Sequence, residues 1–240
     1  MSSEPIEPSS MRPRCVSAES AVDDLLLEPQ RARLSKISLA LLLGALVLTW
    51  ISVWSVGIET IDRGLLSAVY VGNNAYLKFL ARMVGHIGSR EAVAMFTLCA
   101  GAYLIVQRDY WRASLPIVGT MMAHSAAAAL RDFVGRPRPF GLDGLPDLHD
   151  PSFPPTRVVD PMTAYLLVAL LLTNGAKNNR LLVAAAVAVG GSNGIIRVIL
   201  GHHWPSDAVA GWAFGAAFGL AFYALSTRLP PPKPVVQEGD

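Results

Sequence analysis

Six windows free of charged side chains divide this chain. The first, residues 37–58, runs for 22 residues, and at about 1.5 Å per helical residue it spans the roughly 30 Å hydrocarbon core of a bilayer. Five more follow at 92–107, 113–130, 161–176, 181–196 and 208–227. The 16-residue windows reach across when the helix continues past a flanking charge that snorkels to the interface. The pattern predicts an all-α fold, a bundle of six transmembrane helices. Between the first two windows, residues 59–91 place Leu65, Leu66, Val69 and Tyr70, then Leu77, Leu80, Ala81 and Val84, at helical spacing around Gly72-Asn73-Asn74. That spacing predicts short amphipathic helices on the outer surface.

The two ends read differently. Residues 1–30 are rich in Ser, Pro and Glu without apolar periodicity, and 230–240 opens with three prolines, so disorder is the expectation for both. The organisation expected is a tail at 1–36, a helical bundle at 37–227 and a second tail at 228–240. A first apolar run 36 residues into the chain is too far in for a cleaved signal peptide and acts as an uncleaved anchor. Arg31, Arg33 and Lys36 precede it, and with six spans Arg108, Arg112, Lys177 and Arg180 fall on the same side. The positive-inside rule then places both termini in the cytoplasm. The expected location is a bacterial inner (plasma) membrane, with the long loop after the third span on the outer face.

Composition excludes other classes. A net charge of +2, with the basic residues in short loops or motifs, describes no nucleic-acid surface. Cys15 and Cys99 have no metal-ligand company, and no disulfide follows from them. Small residues crowd the spans at Ala126–Ala129, Gly190-Gly191 and the Gly211, Gly215, Gly219 series, where they let helices approach closely. The last series serves packing within the chain, with a homodimer face as the alternative use.

Candidate chemistry lies at two places. Arg197-Val198-Ile199-Leu200-Gly201-His202-His203-Trp204-Pro205-Ser206-Asp207 sets a guanidinium, an imidazole and a carboxylate at fixed spacing. A guanidinium fork fits phosphoryl oxygens, an imidazole attacks phosphorus, and a carboxylate orients the imidazole. Upstream stands Arg131-Asp132-Phe133-Val134-Gly135-Arg136-Pro137-Arg138-Pro139.

Together these runs resemble the type-2 phosphatidic acid phosphatase and vanadium haloperoxidase superfamily, marked by K-x6-R-P, P-S-G-H and S-R-x5-H-x3-D. Arg131 stands for the lysine and Arg138-Pro139 matches; Arg197, His203 and Asp207 match, with Ile196 in place of serine. The second motif departs from the family: Pro154-Pro155-Thr156-Arg157 keeps the proline alone. The resemblance covers residues 37 to 227. It implies that His203 is the nucleophile, that Asp207 orients it, and that Arg131, Arg138 and Arg197 clamp the equatorial oxygens. Guanidiniums then supply the charge stabilisation, and neither a metal nor a cofactor is implied. The soluble, halide-oxidising branch of the superfamily fits a membrane chain less well.

The family's missing histidine is its general acid, a group worth about 10²–10⁴ in rate. Arg157 neutralises charge on a departing oxygen but gives up no proton, and Thr156 offers one hydroxyl to the phosphate. His149 is the first alternative acid, ahead of His86, His124 and His202. Asp132, Asp143, Asp147 and Asp150 read as solvated loop charges. Two functions follow. One is a lipid phosphatase or phosphotransferase acting on an amphiphilic phospholipid or polyprenyl (di)phosphate at the outer leaflet through a phosphohistidine. The other is a non-catalytic member that binds lipid phosphate.

Overall fold

The computed structural model describes residues 33, 35–44, 47, 56–173 and 180–228. Ten of the 22 residues of the first window, all of the expected tails except residues 33, 35, 36 and 228, and residues 174–179 lie outside the described residues. Among those described, every regular element is helical: α1 (Ser35–Gly44), α2 (Val56–Val69), α3 (Ala75–Gly85), a 3₁₀ turn at His86–Gly88, α4 (Arg90–Val106), α5 (Tyr110–Ala113), α6 (Leu115–Val134), α7 (Thr156–Thr173), α8 (Arg180–Ile199) and α9 (Pro205–Ser226). Five helical stretches are long and apolar enough to cross a membrane, and α1 is a shorter apolar helix.

Each long helix overruns its uncharged window, and the overrun carries the charged motif residues. Arg131 sits in the last turn of α6, Arg157 in the first turn of α7, Arg197 in the last turn of α8 and Asp207 in the first turn of α9. Consecutive helices alternate in direction, so these four ends gather at one end of the bundle. Gly135 sets this up. At φ +62° it closes α6, with its N–H on the Arg131 carbonyl, a left-handed cap that costs glycine little.

Helix α7 is the centre of the bundle, with 14 of its 18 residues buried. The glycine series on α9 faces it. A Cβ on Gly215 would lie 2.7 Å from the Val159 carbonyl oxygen, and one on Gly211 would lie 2.9 Å from Pro155 Cγ. Packing within the chain therefore uses up the Gly211, Gly215, Gly219 seam, not a dimer contact. Leu104, Leu115, Leu167, Leu171 and Tyr223 fill one end of the bundle. Leu66, Val198, Trp204 and Ala208 fill the motif end.

Helix α2 belongs to that end. Its Leu66 is buried while Ile61, Leu65 and Val69 are exposed, so the apolar stripe read at 65–70 divides between the core and an outward face suited to lipid. Helix α3 is likewise amphipathic, with Tyr76, Phe79, Leu80 and Met83 exposed.

Candidate functional site

The motif end is built on a buried charge network. Arg136, from the link after α6, lies between two carboxylates. Its Nη2 donates to Asp62 of α2 at 2.7 Å, and its Nη1 donates to Asp207. Asp62 also accepts the Ser206 N–H at 2.9 Å and the Ser206 hydroxyl at 2.6 Å. Asp207 accepts the Trp204 N–H at 3.0 Å and the Ser152 hydroxyl. With Trp204 Nε1 on the Pro137 carbonyl at 3.0 Å, the network ties three chain segments around the loop that bears His203.

His203 is buried, and its Nδ1 lies 2.7 Å from the carbonyl oxygen of Ser152. A carbonyl only accepts, so Nδ1 carries the hydrogen and Nε2 keeps its lone pair. That lone pair faces Arg138 Nη1 at 3.2 Å. Burial and then the Arg138 charge hold the imidazole well below its ordinary pKa, so at neutral pH it is the free base.

The expectation that Asp207 orients His203 needs correction. Its Oδ2 is 3.9 Å from Nδ1, outside hydrogen-bond range, because Arg136, Ser152 and the Trp204 N–H already hold the carboxylate. The direct partner is the Ser152 carbonyl, and the Ser152 hydroxyl donates to Asp207.

Nε2 opens toward a cavity of about 490 Å³ whose wall includes Arg82, Arg138, Arg157, Arg197, His86 and His202. Arg197 donates from Nη1 to His202 Nδ1 at 3.1 Å, and its buried Nε has no partner among the described residues, a donor that an entering anion satisfies. Burial, then Arg197 and Arg138, lower the His202 pKa to about 4. His202 thus forms part of the cavity wall.

Asp150, read as a solvated loop charge, is held by the Arg138 fork, Nη2 to Oδ2 at 2.7 Å and Nε to Oδ1 at 3.2 Å. The hydrogen bond from Arg138 lowers its pKa. A carboxylate therefore rests on a guanidinium expected to clamp phosphate.

The structure gathers Arg138, Arg157, Arg197 and His203 in one cavity wall. Arg131 and Thr156 are not part of that wall. Arg131 lies beside two loop carboxylates, Nε to Asp132 Oδ1 at 3.8 Å and Nη1 to Asp150 Oδ2 at 3.9 Å, and Thr156 is buried at the head of α7. His149 is also absent: its side chain is 88% exposed beside Asp147. His124 pairs with Asp160 inside the bundle at 2.8 Å. Sequence reasoning missed Asp62 and Ser152, which carry no motif signal. Arg136 lies between the two motif arginines, and the motif itself assigns it no role.

The crystal structure titled as the first transmembrane PAP2 type phosphatidylglycerolphosphate phosphatase from Bacillus subtilis resembles this chain with a TM-score of 0.72 at 20% identity, covering 80% of this chain and 97% of that one. At that identity the likeness speaks for the fold. No curated protein matches the sequence. A sequence model of the PAP2 superfamily matches residues 110–230, half of the chain and all of the helices that build the motif end except α2, α3 and α4, and this integral membrane protein belongs to that superfamily.

Proposed function

We propose that the protein is a membrane lipid phosphatase or phosphotransferase that acts on a lipid mono- or diphosphate at the outer leaflet through a phosphohistidine on His203. The observation that carries this reading is the neutral His203, its Nε2 lone pair facing a cavity walled by guanidiniums. Nε2 attacks phosphorus, the N–P bond forms, and the bond to the leaving oxygen breaks. Water or an acceptor hydroxyl then attacks phosphorus, and His203 is regenerated. Arg138, Arg157 and Arg197 bear the charge on the phosphoryl oxygens, once Asp150 has given way on Arg138. A lipid diphosphate suits this site well, because its leaving phosphate monoester needs little protonation and Arg157 stabilises it electrostatically.

The test is phosphate release from purified protein offered a lipid monophosphate and a lipid diphosphate side by side, with His203→Ala as background. Turnover above that background, together with acid-labile phosphate on the protein, is the expected result. Binding of both lipids without such turnover overturns the reading in favour of a non-catalytic lipid-phosphate binder. The Arg138–Asp150 pairing favours that second reading, since it occupies a substrate arginine.

A further inference from the structure

The departing alkoxide of a lipid monophosphate needs a proton, and no guanidinium supplies one. We propose that His86 is the general acid of this site, donating its imidazole proton to the leaving oxygen. The inference rests on the enzymatic reading above and assigns the step that the altered second motif leaves open.

The cavity wall offers few proton donors. Among the described residues it includes three histidines, His86, His202 and His203, and no lysine, tyrosine or cysteine. His203 is the nucleophile. His202 has its Nδ1 committed to Arg197 and, neutral near pH 7, would have to become an imidazolate to donate again. His124 is paired with Asp160 away from this cavity, and His149 lies outside its wall. Asp150 is an ionised acceptor on Arg138.

His86 remains, and its backbone is well held. Its N–H caps α3, and its carbonyl accepts the Ser89 N–H at 2.9 Å. The Tyr165 hydroxyl donates to the Ile87 carbonyl at 2.7 Å, which fastens the 3₁₀ turn to α7, the helix that carries Arg157 in its first turn. On the other side the turn packs on α8. A Cβ on Gly85 would lie 3.2 Å from Ile196, the neighbour of Arg197, and Gly88 has no room for a Cβ beside Asn193.

The turn is thus wedged between the two helices that present Arg157 and Arg197, a rigid mount of the kind a catalytic group requires. The imidazole itself is exposed and makes no hydrogen bond among the described residues, so it is open to solvent. In the first step the N–P bond forms on His203, the P–O bond breaks, and the electron pair left on oxygen takes the His86 proton. In the second, neutral His86 takes a proton from the water that attacks phosphorus, the N–P bond breaks, and phosphate departs with both groups restored.

The experiment compares wild type and His86→Gln on two phosphate monoesters, an alkyl lipid phosphate and 4-nitrophenyl phosphate, whose leaving group needs no proton. Each rate is corrected by His203→Ala. The aryl-to-alkyl rate ratio is expected to rise by about 10²–10⁴ in the variant. A ratio unchanged by the substitution overturns the proposal, whether both rates fall together, as for a positioning residue, or neither falls. A wild type with no His203-dependent turnover of either ester overturns the enzymatic reading itself, an outcome separate from an active enzyme indifferent to His86. Because the aryl ester reports on the same folded site, misfolding lowers both rates and leaves the ratio alone.

Discussion

Arg136→Ala removes the one cation between two buried carboxylates. The side chains of Asp62, Arg136 and Asp207 are 3%, 6% and 0% exposed, so water replaces little of what is lost. Deleting one partner of a buried ion pair costs about 3–5 kcal/mol. Here one guanidinium serves two anions, which raises the figure. A ceiling exists as well, because a stranded carboxylate can take up a proton. At pH 7 that costs about 4 kcal/mol for a carboxyl of ordinary acidity, or about 8 kcal/mol for two. The expected loss is therefore about 3–8 kcal/mol, against a total of about 5–15 kcal/mol for a typical native protein.

The assay is unfolding of purified protein in detergent micelles. Arg136→Lys should fall between wild type and Arg136→Ala, since a single ammonium keeps the charge without the two-armed fork. The combination Asp62→Asn, Arg136→Met and Asp207→Asn should recover most of the loss, because it removes the charges together and keeps acceptors for the Ser206 and Trp204 N–H groups. An Arg136→Ala protein within about 1 kcal/mol of wild type, below the cost of any broken buried pair, would refute the reasoning. So would a neutral triple variant no better than the single one.

Two further outcomes follow from the site. Asp150→Asn should free the Arg138 fork and tighten binding of inorganic phosphate; the carboxylate is half exposed, so a pair worth about 1 kcal/mol corresponds to roughly a fivefold drop in Kd by titration calorimetry, and weaker binding would contradict the assignment. His202 and His203 have folded pKa values below the unfolded value of about 6.5, so the unfolded chain binds more protons in acid; stability should be full above pH 6.5 and fall as the pH drops toward 4, the His202 value, with a shallower decline for His202→Gln in unfolding scans.

Much of the fold was legible because lipid demands long uncharged helices. The windows at 92–107, 113–130, 161–176, 181–196 and 208–227 each fall within or beside a helix that runs past them. They underestimated the helices because Arg131, Arg157, Arg197 and Asp207 belong to helix ends that extend beyond the uncharged windows. The motif spacing likewise located His203, Arg138 and Arg197.

Asp62 escaped because it precedes the motifs by some 70 positions and sits on the polar side of a helix that reads as a surface element. The Ser152 carbonyl escaped because a backbone acceptor leaves no mark on sequence. The Asp207 misreading has a geometric origin. Four positions separate it from His203, but α9 begins only at Pro205. The two side chains therefore do not share a helical face, and the spacing that suggested a hydrogen bond produces a 3.9 Å separation.

That separation gives the carboxylate a different task. Four guanidiniums and one carboxylate stand in the cavity wall in front of Nε2; two carboxylates and one guanidinium lie in the network behind Nδ1. The field across the imidazole therefore runs from a cationic front to an anionic rear. In the unliganded protein burial, and then the Arg138 charge in front, keeps His203 neutral, with its lone pair available. In the proposed reaction, when Nε2 bonds to phosphorus, the front is screened by the phosphoryl oxygens and the ring becomes cationic with its hydrogen still on Nδ1. The Ser152 carbonyl then holds a charged donor, and Asp207, polarising Ser152 from behind, stabilises the ring at the stage when it carries charge. Asp207 thus assists formation of the proposed intermediate more than it assists binding, so its loss belongs in turnover, with substrate affinity left to the arginines in front.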